Sequence, residues 1–254
     1  MMSAVYFVGA GPGAADLITL RGKELLERAD VVIYAGSLVN PDLLGFVKVD
    51  CEIYNSATMT LEEVIETIQG AVACNKAVVR LHTGDPSLYG AIREQMDMLS
   101  SLHIAYEVCP GVSSFTAAAA ALRAEYTLPG ASQTVILTRA AGKTPAPERE
   151  AIQALAAHKA TMVLFLSAGQ LETVSGDLIA GGYAPDTPAA IVYKASWPEE
   201  IIVRCTVAEL VKSAADANIT KTALICVGAF LGSDYERSRL YAPDFSTEYR
   251  EAKR

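Results

Sequence analysis

Short apolar runs alternate with amphipathic stretches along the whole chain. Runs at 4–8, 31–34, 77–81 and 104–108 have the length and the Val, Ile, Leu and Tyr content of strands. Stretches at 21–28, 61–74, 86–101 and 113–123 repeat apolar residues at helical spacing. Strand then helix, repeated, predicts parallel βαβ units. A second series has strands at 133–138, 162–166, 189–194, 201–205 and 223–229, with helices at 148–158, 169–180 and 207–216. Trp197-Pro198-Glu199-Glu200 reads as a turn joining two of those strands, which makes the second sheet mixed. The composition shifts at Leu128-Pro129-Gly130-Ala131-Ser132. The expected division is therefore an N-terminal α/β domain over 1–129 and a C-terminal α/β domain over 130–254. The tail after Asp234 is charged and reads as irregular, with one short strand around 239–242.

Composition narrows the function classes. At 254 residues and 51% hydrophobic, the chain can bury substantial cores. Its net charge of −8 gives no global support for nucleic-acid binding, so no nucleic-acid partner is expected. Gly and Pro interrupt the apolar start, and no uninterrupted apolar run is long enough to span a bilayer. The expectation is a cytoplasmic protein with no membrane segment. Five cysteines without a Cys-x-x-Cys pair read as reduced, mostly buried thiols. His82, His103 and His158 are scattered, so no metal site is expected.

Glycine-rich loops at strand ends carry the chemistry. The first is Gly9-Ala10-Gly11-Pro12-Gly13, followed by Asp16-Leu17-Ile18-Thr19. Glycine lets backbone turn tightly and approach a ligand. The spacing is not the dinucleotide fingerprint, and the next strand ends at Tyr34-Ala35-Gly36 rather than at a ribose-binding acid. An NAD-dependent oxidoreductase is thus a remote alternative, resting on this loop alone. The second loop is Arg80-Leu81-His82-Thr83-Gly84-Asp85-Pro86-Ser87-Leu88-Tyr89-Gly90. Asp85 before Pro86 predicts a helix start, with Asp as N-cap and proline at the first helical position. The third, Cys109-Pro110-Gly111-Val112-Ser113-Ser114-Phe115, runs into an alanine helix. The fourth, Leu137-Thr138-Arg139-Ala140-Ala141-Gly142-Lys143-Thr144-Pro145-Ala146-Pro147-Glu148, is basic and proline-punctuated. Each loop alone is compatible with ordinary capping, tight packing or solvated surface.

Taken together, Gly-Ala-Gly-Pro-Gly…Asp-Leu-Ile-Thr, Thr-Gly-Asp-Pro and Pro-Gly-Val-Ser-Ser, in this order, resemble the tetrapyrrole methylase family over essentially the whole chain. Within that family, the fourth loop, Tyr34-Ala35-Gly36-Ser37-Leu38-Val39 and Tyr193-Lys194-Ala195-Ser196-Trp197-Pro198 resemble one particular branch. That branch methylates C11 of precorrin-4 or cobalt-precorrin-4 in cobalamin biosynthesis. A precorrin methyltransferase acting at another ring position is the alternative. The resemblance implies a homodimer of two α/β domains. The first sheet is mainly parallel and the second mixed, with S-adenosyl-L-methionine held in the cleft between them.

By the same resemblance, the cofactor contacts are Pro12, Thr83, Gly84, Asp85, Leu88, Ser113, Ser114, Leu166 and Ala195. The substrate is a tetrapyrrole with many carboxylate arms, which a protein of charge −8 repels unless the site is locally basic. Arg80, Arg139 and Lys143 are the expected substrate-binding cations, with Arg93, Arg123 and Lys194 as further candidates. No catalytic residue is singled out. Glu107, Asp85, Tyr89 and water all stand as candidates for relocating a proton.

Overall fold

The computed structural model describes residues 5–36 and 38–253. Ala4, at the start of the first expected strand, and Ser37, in the Tyr34–Val39 motif, lie outside the described residues. The chain forms two compact units. One comprises Met1–Ala117 with Lys194–Glu199, and the other Ala118–Tyr193 with Glu200–Arg254.

The first unit is built on a five-stranded sheet of β1 (Val5–Gly9), β2 (Val31–Tyr34), β3 (Glu52–Asn55), β4 (Val78–His82) and β5 (Tyr106–Cys109). The order is β3-β2-β4-β1-β5, and every pairing is parallel. Helices α1 (Leu20–Arg28), α2 (Leu61–Ala73) and α3 (Ile92–Ser101) provide crossovers, and α4 (Ser114–Leu122) follows the last strand. Alternate residues feed opposite faces. Val5, Phe7, Val31, Ile33 and Val78 pack with Val64, Ile65 and Ile68 of α2 and Leu99 of α3. Val8, Val32, Val79 and Leu81 pack with Leu26 of α1 and Leu43. Both faces are covered, so the central strands read as continuous apolar runs. α2 opens with a capping box, in which Thr60 Oγ1 accepts from Glu63 N and Glu63 Oε2 accepts from Thr60 N. Such a cap stabilises a helix by about 1 kcal/mol.

The second unit holds β6 (Val135–Arg139), β7 (Thr161–Phe165), β8 (Pro188–Tyr193), β9 (Ile201–Thr206) and β10 (Ala223–Val227), in the order β6-β7-β10-β8-β9. β6 and β7 are parallel and the other pairings antiparallel, so the sheet is mixed as expected. Helices α5 (Ile152–Ala156), α6 (Leu171–Ala180) and α7 (Leu210–Asp216) cover one face. Met162, Leu164, Ile191 and Ile225 pack there against Ile152, Val174, Leu178 and Leu210. Beyond the sheet, Thr161 Oγ1 donates to Tyr126 O at 2.8 Å, and the Tyr126 ring meets Phe230 edge-on at 5.0 Å. All five cysteines are free thiols.

Four elements depart from the sequence expectation, one of them the start of α3 at Ile92. β3 was absent from it because all four residues are exposed and carry no buried stripe; only pairing with β2 makes it a strand. The strand expected around 239–242 is a 3-10 turn, Arg239–Tyr241. Ser238 Oγ accepts from Leu240 N there, while Arg250 Nη2 donates to the carbonyls of Leu240, Ala242 and Phe245. Those carbonyls are used locally and offer no ladder edge. The expected helix at 148–158 is a 3-10 turn, Glu148–Glu150, followed by the short α5.

Leu164 sits fully buried in the second core, whereas Ile53 is 44% exposed on the edge strand. Leu164→Ala is expected to destabilise by about 2–5 kcal/mol and Ile53→Ala by about 0.5 kcal/mol or less. Urea denaturation of the two variants measures the contrast.

Candidate active site

In the first unit, the carboxyl ends of β4, β1 and β5 are brought to backbone contact by three glycines. A Cβ on Gly9 would stand 2.5 Å from Gly111 Cα and 2.7 Å from Gly84 O. A Cβ on Gly111 would stand 2.1 Å from Gly84 O. No side chain fits there, so only glycine permits this approach. Gly11 N donates to Gly84 O at 3.2 Å, Gly84 N returns a bond to Gly11 O at 2.8 Å, and Ala10 N donates to His82 O at 2.7 Å. Gly11 and Gly84 both have positive φ, 80° and 60°. In open α/β sheets this end of the strands is where ligands bind.

Asp85 clamps the crossing. Its Oδ2 accepts from Gly111 N at 2.9 Å, and its Oδ1 accepts from Ser87 N at 2.8 Å and from Ser87 Oγ. Burial pushes this carboxyl upward, but the donors from Ser87 Oγ, Gly111 N and Ser87 N outweigh it and hold the group below its ordinary range. The expected helix start at Pro86 is corrected here, since α3 begins at Ile92. Asp85 caps a turn instead of a helix. Tyr89 and Ala91 are left-handed at φ 57° and 49°, which helical backbone cannot accommodate. Such residues cost about 1–3 kcal/mol each and concentrate at functional sites.

Pro12, Thr83, Gly84, Asp85, Leu88, Ser113 and Ser114 all belong to these loops of the first unit. Ser113, nearly buried, accepts at its carbonyl from Thr116 N and Oγ1 where α4 starts. The Ser113 Cα and Ser114 N lie 3.6 Å from where a Gly84 Cβ would stand. Ala195 is buried in the Lys194–Glu199 segment, which packs within the same unit. There Ser196 Oγ accepts from Ala14 N at 3.0 Å, and Trp197 Nε1 donates to Pro12 O at 3.1 Å. Sequence reasoning named neither Ser196 nor Trp197 as a site residue. The available signal was that Trp197 is the chain's single tryptophan, set in a turn where core packing does not demand one.

Arg80 and His82 lie on the α2–α3 face of β4, buried at 6% and 3% exposure. Arg80 Nε donates to Gln95 Oε1 at 3.1 Å and Nη1 donates to Ile33 O at 3.1 Å, so part of the guanidinium is bound into its own unit. Burial lowers its pKa to about 10, which leaves it a cation at neutral pH. Burial, with the charge of Arg80 beside it, lowers His82 to about 3, and the imidazole is neutral. Its Nε2 is buried with no hydrogen-bond partner among the described residues.

Arg139, Lys143 and Leu166 are in the second unit. Arg139 ends β6 and turns back on its own loop, with Nη1 donating to Ala140 O and Thr144 O and Nη2 to Pro145 O. Lys143, which that loop carries, is exposed. Leu166 follows β7 with φ 53° and 63% exposure, an unusual state for a large apolar residue. The buried Ser167 Oγ accepts from Ala140 N at 2.8 Å and donates to Phe165 O at 2.7 Å, joining the ends of β6 and β7. Arg93 is paired with Asp97 on the surface of α3, and Lys194 lies 3.6 Å from Glu199.

The model of the Tetrapyrrole (Corrin/Porphyrin) Methylases matches residues 4–211. The chain belongs to that family. It is 53% identical over 249 residues to a cobalt-precorrin-4 C(11)-methyltransferase of Methanocaldococcus jannaschii, covering 98% of this chain and 96% of the relative. A precorrin-4 C(11)-methyltransferase of Mycobacterium tuberculosis is 48% identical over 240 residues, covering 94% and 96%. Among solved structures, a cobalt-precorrin-4 methyltransferase has a TM-score of 0.89 at 48% identity, over 91% of this chain and 96% of that one. A uroporphyrin-III C-methyltransferase of Thermus thermophilus, crystallised with S-adenosylhomocysteine, has a TM-score of 0.75 at 25% identity, over 90% and 93%. Both sheets and the order of the methylase loops follow the family expectation.

Removing the Asp85 clamp strips the acceptor from two backbone amides. Asp85→Ala is expected to lose about 1–3 kcal/mol of stability at pH 7. The folded-state pKa is depressed, so the contribution is complete above the unfolded value near about 4 and fades as pH falls through the folded value. Denaturation of the wild type and Asp85→Ala at pH 7 and pH 3 checks both parts, with the gap between them narrowing at pH 3.

Proposed function

We propose that this protein transfers a methyl group from S-adenosylmethionine to C11 of precorrin-4, with or without cobalt, in cobalamin biosynthesis. The single observation that carries this reading is near-full-length identity of 53% to a relative with that activity. Support for the methyl donor comes from the Thermus neighbour, which holds its demethylated product. The site has the character such a donor requires. An elongated zwitterion is held by amides, carbonyls and hydroxyls with no bulk in front of them, and the Gly9–Gly84–Gly111 crossing excludes side chains. Pro12, Thr83, Gly84, Asp85, Leu88, Ser113, Ser114 and Ala195 are the proposed contacts in that unit.

The donor supplies a methyl already activated on a sulfonium. What remains for this chain is alignment, worth up to about 7–11 kcal/mol when two bound reactants are correctly placed. The clamped loops suit that task, because Asp85 and the paired Gly11 and Gly84 fix them before any ligand arrives. Of Arg80, Arg139 and Lys143, the cations proposed first to meet the macrocycle's carboxylates, Lys143 is the exposed one, and Arg139 sets the shape of the loop that presents it. Arg80 contributes positive charge from within the first unit. Homodimerisation, on the family resemblance, and a cytoplasmic location, on the unpaired cysteines, complete the proposal. Among the described residues, no helix is long and apolar enough to cross a membrane.

Purified protein is to be given S-adenosylmethionine with precorrin-4 and, separately, cobalt-precorrin-4. The expected product gains the mass of one methyl, which NMR locates at C11, and the faster substrate identifies the metal state. A methyl at another ring carbon, or none on either substrate, contradicts the proposal.

A further inference from the structure

We propose that Trp197 is a positioning residue that holds the glycine loop in its ligand-ready shape from far along the chain. This rests on the reading of that loop as part of the methyl-donor site. Three consecutive loop residues are gripped. Pro12 O accepts from Trp197 Nε1 at 3.1 Å, and Ala14 N donates to Ser196 Oγ at 3.0 Å. Between them, a Cβ on Gly13 would stand 2.0 Å from Trp197 Cδ1 and 2.2 Å from Nε1. The pyrrole edge of the indole therefore occupies the space that any side chain at position 13 would need. Gly13 and Trp197 are complementary in shape as well as bonded.

The gripping segment is itself set in an uncommon conformation. Lys194 and Ser196 are left-handed at φ 45° and 68°. Trp197 N donates to Lys194 O at 2.9 Å, closing the turn, and Lys194 Nζ lies 4.9 Å from the centroid of the indole it covers. Strained backbone of this kind persists only where its surroundings over-determine it. Here the surroundings are the glycine loop. A loop of alternating glycines loses much conformational freedom when ordered, and ordering it before the ligand binds lowers the cost of binding. The clasp thus belongs to donor affinity and alignment rather than to the chemical step.

The test uses the intact enzyme and S-adenosylhomocysteine. Trp197 is the single tryptophan, so its emission reports the clasp without interference. Wild-type protein is expected to bind in calorimetry, with emission shifting along the same curve. Trp197→Ala is expected to weaken binding about tenfold, and to raise the S-adenosylmethionine KM far more than it lowers kcat, with Tm changed by a few degrees at most. Trp197→Phe, which keeps a ring but not the donor, is expected to fall between and serves if the alanine variant does not fold. Gly13→Ala is expected to weaken binding comparably, and Gly13→Ala combined with Trp197→Ala to be no worse than the weaker single variant. Wild-type affinity in Trp197→Ala, unchanged emission on saturation, or losses that multiply in the double variant would each overturn the clasp. Absence of binding to the wild type in calorimetry would instead overturn the donor-site reading, and the clasp's role with it.

Discussion

The structure depends on a steric constraint, the contact of Gly9, Gly84 and Gly111 at the carboxyl ends of three adjacent strands. A Cβ at Gly9, Gly84 or Gly111 would stand 2.5, 3.6 or 2.1 Å from the nearest neighbouring backbone atom. At Gly9 and Gly111 the distance is below any real contact, so the loops would have to separate. Their approach in turn allows the reciprocal Gly11–Gly84 hydrogen bonds and places Gly111 N where Asp85 can accept from it. One constraint thus generates the paired loops, the clamp and a surface of bare backbone.

Around that crossing the fold accepts local strain. Tyr89 and Ala91 in the loop after Asp85, and Lys194 and Ser196 in the segment that grips Pro12 and Ala14, are all left-handed non-glycine residues. The cores on which the loops stand are the ordinary kind. Buried Val, Ile and Leu from both faces of the first sheet meet α1, α2 and α3. The rigid part is supplied by apolar burial, while Tyr89, Ala91, Lys194 and Ser196 place left-handed backbone in the loops around the crossing; other left-handed residues, such as Asn75, His103 and Asn218, close helices. This division of labour suits a transferase whose main task is to align two bound molecules.

Much of this was legible in the sequence, for physical reasons that differ by element. β4, β7 and β10 are buried at every residue, and Val78-Val79, Met162–Phe165 and Ala223–Val227 left apolar runs that mark them, although β4 also buries Arg80 and His82. The glycine loops were legible because close backbone approach admits no other residue. β3 was not, since four exposed residues become a strand only through their partner. The start of α3 was misread because Asp85-Pro86 satisfies the local rule for a helix cap, while Gly111, a distant residue, recruits the same carboxylate. Trp197 lies 185 residues from Pro12, and no local pattern announces such a contact. The contacts of Arg139 with three carbonyls of its own loop were likewise not legible, because they depend on how that loop folds back.

The central claim is that the glycine crossing forms the binding surface for the methyl donor. A crystal structure of the protein with S-adenosylhomocysteine tests it most directly. The ligand is expected against the backbone of Gly11–Gly13, Thr83–Asp85 and Ser113–Ser114, with the Gly11–Gly84 hydrogen bonds intact. Ligand bound elsewhere, or a crossing that must open to admit it, would contradict the account.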